Sequence, residues 1–157
     1  MAVKVGDRVP DVSLKTITAE GPKDVKFSDW KGKKLVILFY PLTNTGVCEK
    51  ELCTVRDDYA SYGKVGAEVV AVSVDSPFSQ KLWKDKMNFP FALLSDFNKT
   101  AIAAFGNGYE DLIGLKGVAK RSAYVVDAAG VVKYVWVTDN AKDLPDLEAI
   151  KKAVASL

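Results

Sequence analysis

The chain has 157 residues, 48% hydrophobic and 27% charged, and its 22 basic and 20 acidic side chains leave a net charge of +2. This length suits one domain over residues 1–157 that buries roughly 70% of its unfolded surface, so neither a disulfide staple nor a structural metal is required. The even charge balance leaves no footprint for a nucleic-acid backbone or an anionic membrane surface. There is no histidine, which excludes Ser-His-Asp and Cys-His hydrolases and His-ligated zinc.

Residues 1–10 carry Lys4, Asp7 and Arg8 and lack the apolar centre of a secretory signal. The longest apolar run, residues 35–40, is strand-sized rather than membrane-spanning. The expected location is therefore the cytoplasm, where thiols stay reduced. Residues 12–17 and 25–27 alternate apolar and polar, as the strands of an N-terminal β-hairpin do. Residues 34–40 (Lys-Leu-Val-Ile-Leu-Phe-Tyr) end at Pro41 and suit a central strand covered on both faces. Beyond Cys48, the spacing of Leu52, Val55, Tyr59 and Tyr62 predicts a helix.

Residues 68–74 read as a second buried strand. Asp75-Ser76-Pro77 starts a helix whose apolar side is predicted from Phe78, Leu82 and Trp83. Short elements follow at 91–94 and 99–105, then a loop containing Gly106, Gly108, Gly114 and Gly117 that holds no phosphate-cradling pattern. Residues 122–126 and 131–137 flank Asp127-Ala128-Ala129-Gly130, a hairpin signal, and 147–154 close the chain as an amphipathic helix. The order β-β-β-α-β-α-β-α-β-β-α predicts an α/β fold with a central sheet of mixed strand direction flanked by helices.

Two cysteines, Cys48 and Cys53, are too few to scaffold a chain of this length. Cys48 falls where a buried strand gives way to a helix, and open α/β sheets gather active sites at the carboxyl ends of strands. Free backbone N–H groups and the helix dipole favour an anion in that first turn, hence a thiolate. Arg121, at the start of a core strand, is the candidate cation to assist it. A free cysteine is also among the most buried residue types, so on these residues alone a packed Cys48 and a reactive one both stand.

The segment Pro41-x-x-x-Thr45-x-x-Cys48 resembles the Pro-x-x-x-Thr/Ser-x-x-Cys signature of the peroxiredoxins at every defined position. The opening Gly6-Asp7-x-x-Pro10, Val74-Asp75-Ser76, and Arg121-Ser122-Ala123 to Asp127-x-x-Gly130 are similar in the same order, so the resemblance covers nearly the whole chain. It implies a thioredoxin-like fold. The Cys-x-x-x-x-Cys spacing of Cys48 and Cys53 is similar to the bacterioferritin comigratory protein, or PrxQ, branch.

By that resemblance Cys48 is the peroxidatic nucleophile and Cys53 resolves it as an intramolecular disulfide. Thr45, Val47, Cys48 and Arg121 would surround the peroxide, with Thr45 and Arg121 as hydrogen-bond donors. Pro41 would shield the pocket from water, and Glu51 would position an arginine. Hydroperoxides are the implied substrates and a thioredoxin-like dithiol protein the implied reductant, with the chain a monomer or homodimer. Glu49 departs from the pattern, since relatives often carry Thr or Pro there.

The chemistry is coherent in itself. In peroxide reduction a thiolate displaces one oxygen from the other, and charge moves along the O–O axis. Fixed donors stabilise that charge, each typically worth about 2.7–4 kcal/mol. No metal, nucleotide or imidazole base is needed, and no cofactor is expected. Residues five apart on a helix differ by about 7.5 Å in rise and about 500° in rotation, whereas a disulfide needs Cα atoms within about 7 Å. The helix over Cys48 and Cys53 is therefore expected to unwind locally during turnover. A thiol–disulfide oxidoreductase and a non-enzymatic holdase are the competing readings; the first lacks the expected Cys-x-x-Cys motif.

Overall fold

The computed structural model describes residues 2–157. Strands β1 (Ser13–Thr18) and β2 (Gly21–Lys26) form the N-terminal hairpin. Strands β3 (Lys34–Phe39), β4 (Ala67–Ser73) and β5 (Ala92–Ser95) run parallel to one another. β6 (Ser122–Val126) and β7 (Val132–Val137) add a second hairpin, with β6 antiparallel to β3. The seven strands lie in the order β2-β1-β5-β4-β3-β6-β7, a mixed sheet in an α/β, thioredoxin-like arrangement. The helices are α1 (Gly46–Asp57), α2 (Tyr59–Lys64), α3 (Pro77–Met87), α4 (Thr100–Phe105) and α5 (Leu147–Ala155). Among the described residues no helix is long and apolar enough to cross a membrane.

Period-two alternation along the strands divides the core between the two faces of the sheet. Val36, Leu38 and Tyr40 face Leu52 and Val55 of α1, Tyr62 of α2, Trp83 of α3, and Ile150 and Val154 of α5. Leu35, Ile37 and Phe39 face the other way, toward Phe27 and the α4 residues Ile102 and Phe105. Burial on both sides explains why residues 35–40 read as one unbroken apolar run. The β6–β7 turn closes as its sequence predicts, with the Asp127 carboxylate accepting from the N–H groups of Ala129 and Val131 and Gly130 at φ 87°.

Two expectations need correction. The single helix predicted beyond Cys48 is interrupted at Asp58 (φ −114°, ψ 14°), whose carboxylate is held by Ser61 and Lys151. Periodicity missed the break because α1 and α2 face the same core. On α3, Phe78 and Leu82 are exposed, at 63% and 75%, and the inward side is Gln80 and Trp83. Ser76 caps α3 through Ser79 N–H, and that starting point turns positions 80, 83 and 87 inward while 78 and 82 share the outer side. Gln80 is tolerated inside because its amide donates to Ser73 Oγ and Leu94 O, both at 2.9 Å.

Phe105 centres an aromatic cluster, with ring centroids 4.9 Å from Phe39, 4.9 Å from Tyr124 and 5.7 Å from Phe27. It is fully buried, so truncation leaves a cavity that three rigid rings and a strand cannot readily fill. Phe105→Ala is expected to lower stability by about 3–5 kcal/mol, read from urea denaturation. A loss under about 1 kcal/mol would mean that this face of the sheet collapses around the gap.

Candidate functional site

The antiparallel register of β6 against β3 pairs Phe39 with Ser122, so Arg121 sits beside the carboxyl end of β3 where the chain turns toward α1. Alternation places Arg121 on the same sheet face as Ala123 and Val125, the face that α1 covers. Cys48, Glu51, Leu52 and Val55 form the buried stripe of α1 at i, i+3, i+4 and i+7. Cys48 and Glu51 are therefore neighbours on one face, and the same guanidinium reaches both. Arg121 Nη2 donates to Cys48 Sγ at 3.1 Å and Nη1 to Glu51 Oε2 at 3.1 Å. The Ala141 carbonyl accepts from Nε at 3.2 Å and from Nη2 at 3.0 Å.

All three side chains are 1% exposed. Cys48 occupies the third helical position of α1, where backbone N–H groups have no partner within the helix. Burial pushes the Glu51 carboxyl up to about 7, against the pull of Arg121. Its Oε1 has no hydrogen-bond partner. Burial also pushes the Cys53 thiol up, opposed by Arg56 and helped by Glu49 and Asp57. Cys53 lies on the same continuous helix but five residues on, half-buried at the edge of the core rather than beside Arg121.

Thr45 is the N-cap residue of α1, but its hydroxyl donates to Leu42 O at 2.9 Å and not to the sulfur. Pro41 is buried and Val47 half-buried, on either side of that turn. Trp83 and Phe89 are core residues. Trp83 also borders a cavity of about 360 Å³ lined by Thr43, Asn44 and Asp75, which Cys48 does not line. Residue identity gave no sign of the Ala141 carbonyl, because a main-chain acceptor belongs to every residue type. The Glu51–Arg121 pair spans 70 residues, and only the strand register brings it together.

The raised Glu51 carboxyl has a sign that can be tested. A group protonated more readily in the folded than in the unfolded chain stabilises the fold fully below the unfolded value of 4.5 and loses that contribution as pH rises toward about 7. Glu51→Gln removes the slope. Wild type is expected to lose stability relative to Glu51→Gln over that interval, read from urea midpoints at both ends. A constant difference would place the Glu51 carboxyl in the ordinary carboxylate range.

A family model for the AhpC/TSA family matches residues 5–135. The chain is 38% identical over 134 residues to the chloroplastic peroxiredoxin Q of Triticum aestivum, covering 85% of this chain and 59% of that protein. It thus spans less than two thirds of the length of that relative. It is 34% identical over 139 residues to a bcp peroxiredoxin of Coxiella burnetii, covering 87% of this chain and 89% of the relative. In fold it is similar to the AhpC of Mycobacterium bovis, with a TM-score of 0.85 at 22% identity over 99% of this chain and 93% of that one.

Proposed function

The chain belongs to the AhpC/TSA family, that of the peroxiredoxins, and from that premise we propose that it is a thiol-dependent peroxidase acting on hydrogen peroxide and organic hydroperoxides. The observation that carries this reading is the buried Cys48 sulfur, 3.1 Å from a guanidinium N–H at a helix N-terminus. A charged donor and free N–H groups stabilise sulfur as an anion. Burial raises the Cys53 thiol despite the nearby Arg56, which suits it for the second step rather than the first.

In the first step the Cys48 thiolate attacks the nearer peroxide oxygen. An S–O bond forms, the O–O bond breaks, and the leaving oxygen departs as water or alcohol after taking a proton. Arg121 carries the charge that shifts along the O–O axis. The Thr45 hydroxyl, now turned to Leu42 O, redirects its proton to the peroxide by rotation about its C–O bond. Pro41 and Val47 close the turn against water.

Next, the Cys53 sulfur attacks the sulfenic sulfur of Cys48, an S–S bond forms, and water leaves. Both cysteines sit on one continuous helix, about 7.5 Å apart in rise, so α1 unwinds between them for the bond to close. A thioredoxin-like dithiol protein then reduces the disulfide by exchange. A cytoplasmic setting, where such reductants keep thiols reduced, suits the cycle. Glu51 keeps the guanidinium in place, with residues 1–157 acting as one domain.

Reduced protein mixed with one equivalent of hydrogen peroxide is expected to lose both thiols and two hydrogens while retaining no oxygen, read by thiol titration and intact mass after rapid quench. Cys53→Ser is expected to react as fast but to keep one oxygen, and Cys48→Ser to fall to the rate of a free thiol. Loss of one thiol with one added oxygen in wild type would leave a one-cysteine peroxidase. Wild type no faster than a free thiol would overturn the reading and return Cys48 to the packed core.

A further inference from the structure

The loop over residues 41–45 carries Pro41 and Thr45 from the end of β3 to the start of α1, and it has no strand or helix pairing of its own. Its middle is held from outside. The Thr43 N–H donates to Asp75 Oδ2 at 2.8 Å, and the Thr43 hydroxyl shares a hydrogen bond of 3.0 Å with the Tyr40 hydroxyl. The next residue, Asn44, takes a left-handed conformation at φ 63°, one that Asn adopts more readily than other non-glycine residues. Thr45 then caps α1. The contact at Thr43 thus lies just before the turn that sets the direction of α1.

Asp75 is itself fixed from the side of α3 and β5. It stands two residues beyond β4, and the same Oδ2 accepts from the Ser73 hydroxyl at 2.6 Å. Ser73 Oγ accepts in turn from the Gln80 amide, which also holds Leu94 O. The Ser95 hydroxyl donates to the Asp75 carbonyl at 2.6 Å. A chain of hydrogen bonds therefore runs from β5 and α3 through Ser73 and Asp75 to the Thr43 main chain. Asp75 hydrogen-bonds to none of Cys48, Glu51 and Arg121.

We propose that Asp75 is a positioning residue for the peroxide step: through the Thr43 N–H it holds the loop so that Thr45 and the first turn of α1 face the Cys48 sulfur. The inference rests on the peroxidase reading above. Its physical basis is that an error of about 1 Å in the placement of reacting groups costs about a hundredfold in rate, and an untethered five-residue loop permits such errors. One oxygen serves both hydrogen bonds, so an amide in place of the carboxylate keeps that acceptor while removing the charge and turning the other oxygen into an NH2.

The test measures the second-order rate constant for oxidation of Cys48 by hydrogen peroxide, together with the thiolate absorbance titration, at temperatures well below unfolding. Asp75→Ala is expected to slow oxidation by about tenfold to a hundredfold with the titration unmoved, and Asp75→Asn to restore most of the rate. If Asp75→Ala does not fold, Ser73→Ala, which loosens the same oxygen, is expected to slow oxidation in the same direction but less. Thr18→Val controls for stability alone: it deletes the 3.0 Å bond from Thr18 Oγ1 to Gly21 O at the turn of the N-terminal hairpin, which takes no part in that chain of hydrogen bonds, and is expected to leave the rate unchanged. Asp75→Ala as fast as wild type would overturn the inference while leaving the peroxidase intact. So would Asp75→Asn as slow as Asp75→Ala, or a displaced thiolate titration, since either would assign the effect to charge. A wild type no faster than a free thiol would remove the peroxidase reading itself, and the inference with it.

Discussion

A guanidinium taken out of water among apolar side chains must find anions and carbonyl oxygens where it lands, or the burial costs several kcal/mol. Arg121 is 1% exposed, and the surrounding fold is arranged around that requirement. The start of β6 supplies the arginine, α1 brings a sulfur and a carboxylate, and the segment after β7 supplies the Ala141 carbonyl. Three parts of the chain remote in sequence are tied at one point. An apolar side chain of similar volume often satisfies packing as well or better, so on the proposed reading the demand for a buried charge lies in the chemistry of the sulfur rather than in stability.

The pair is also unequal. Burial pushes the Glu51 carboxyl up to about 7, and one of its oxygens is unpartnered. Whenever that carboxyl carries a proton, it still accepts from the guanidinium at Oε2 but no longer offsets its charge. Glu51 thus orients Arg121 through a hydrogen bond without fully neutralising it. This arrangement leaves positive charge directed at the atom where negative charge is needed, in surroundings where water does not screen it.

Helix α1 answers two demands that oppose each other. Its buried stripe must stay wound to keep Cys48 and Glu51 on one side of Arg121, while Cys53 lies about 140° around the axis, where no disulfide closes. The helix runs for 12 residues, the hydroxyl of its N-cap residue Thr45 is turned to Leu42 O rather than capping a helical N–H, and it stops at Asp58 before α2 begins. In the proposed cycle this is the segment that has to open for the disulfide to close. The chain is held on either side of it, by Asp75 at the loop before and by the Asp58–Lys151 pair after.

Strand runs, the two hairpins and the Pro41-Thr45-Cys48 spacing were legible in the sequence because they rest on local rules: alternation, turn chemistry and the position of a cysteine at a helix start. The phase of α3 was not, because Phe78 and Leu82 are as apolar as the residues that turn inward, and only the Ser76 cap and the acceptors waiting for Gln80 decide which side is buried. The break at Asp58 was hidden for a similar reason, two helices sharing one apolar face. The chain by itself determined its element types, its family signature and a reactive-cysteine candidate, all properties of neighbouring residues. Tertiary structure alone decided that Arg121 meets Cys48 across 73 residues and that Asp75 reaches the Thr43 N–H. Those contacts depend on strand register, and register is set by how whole faces of the sheet are buried rather than by any local pattern.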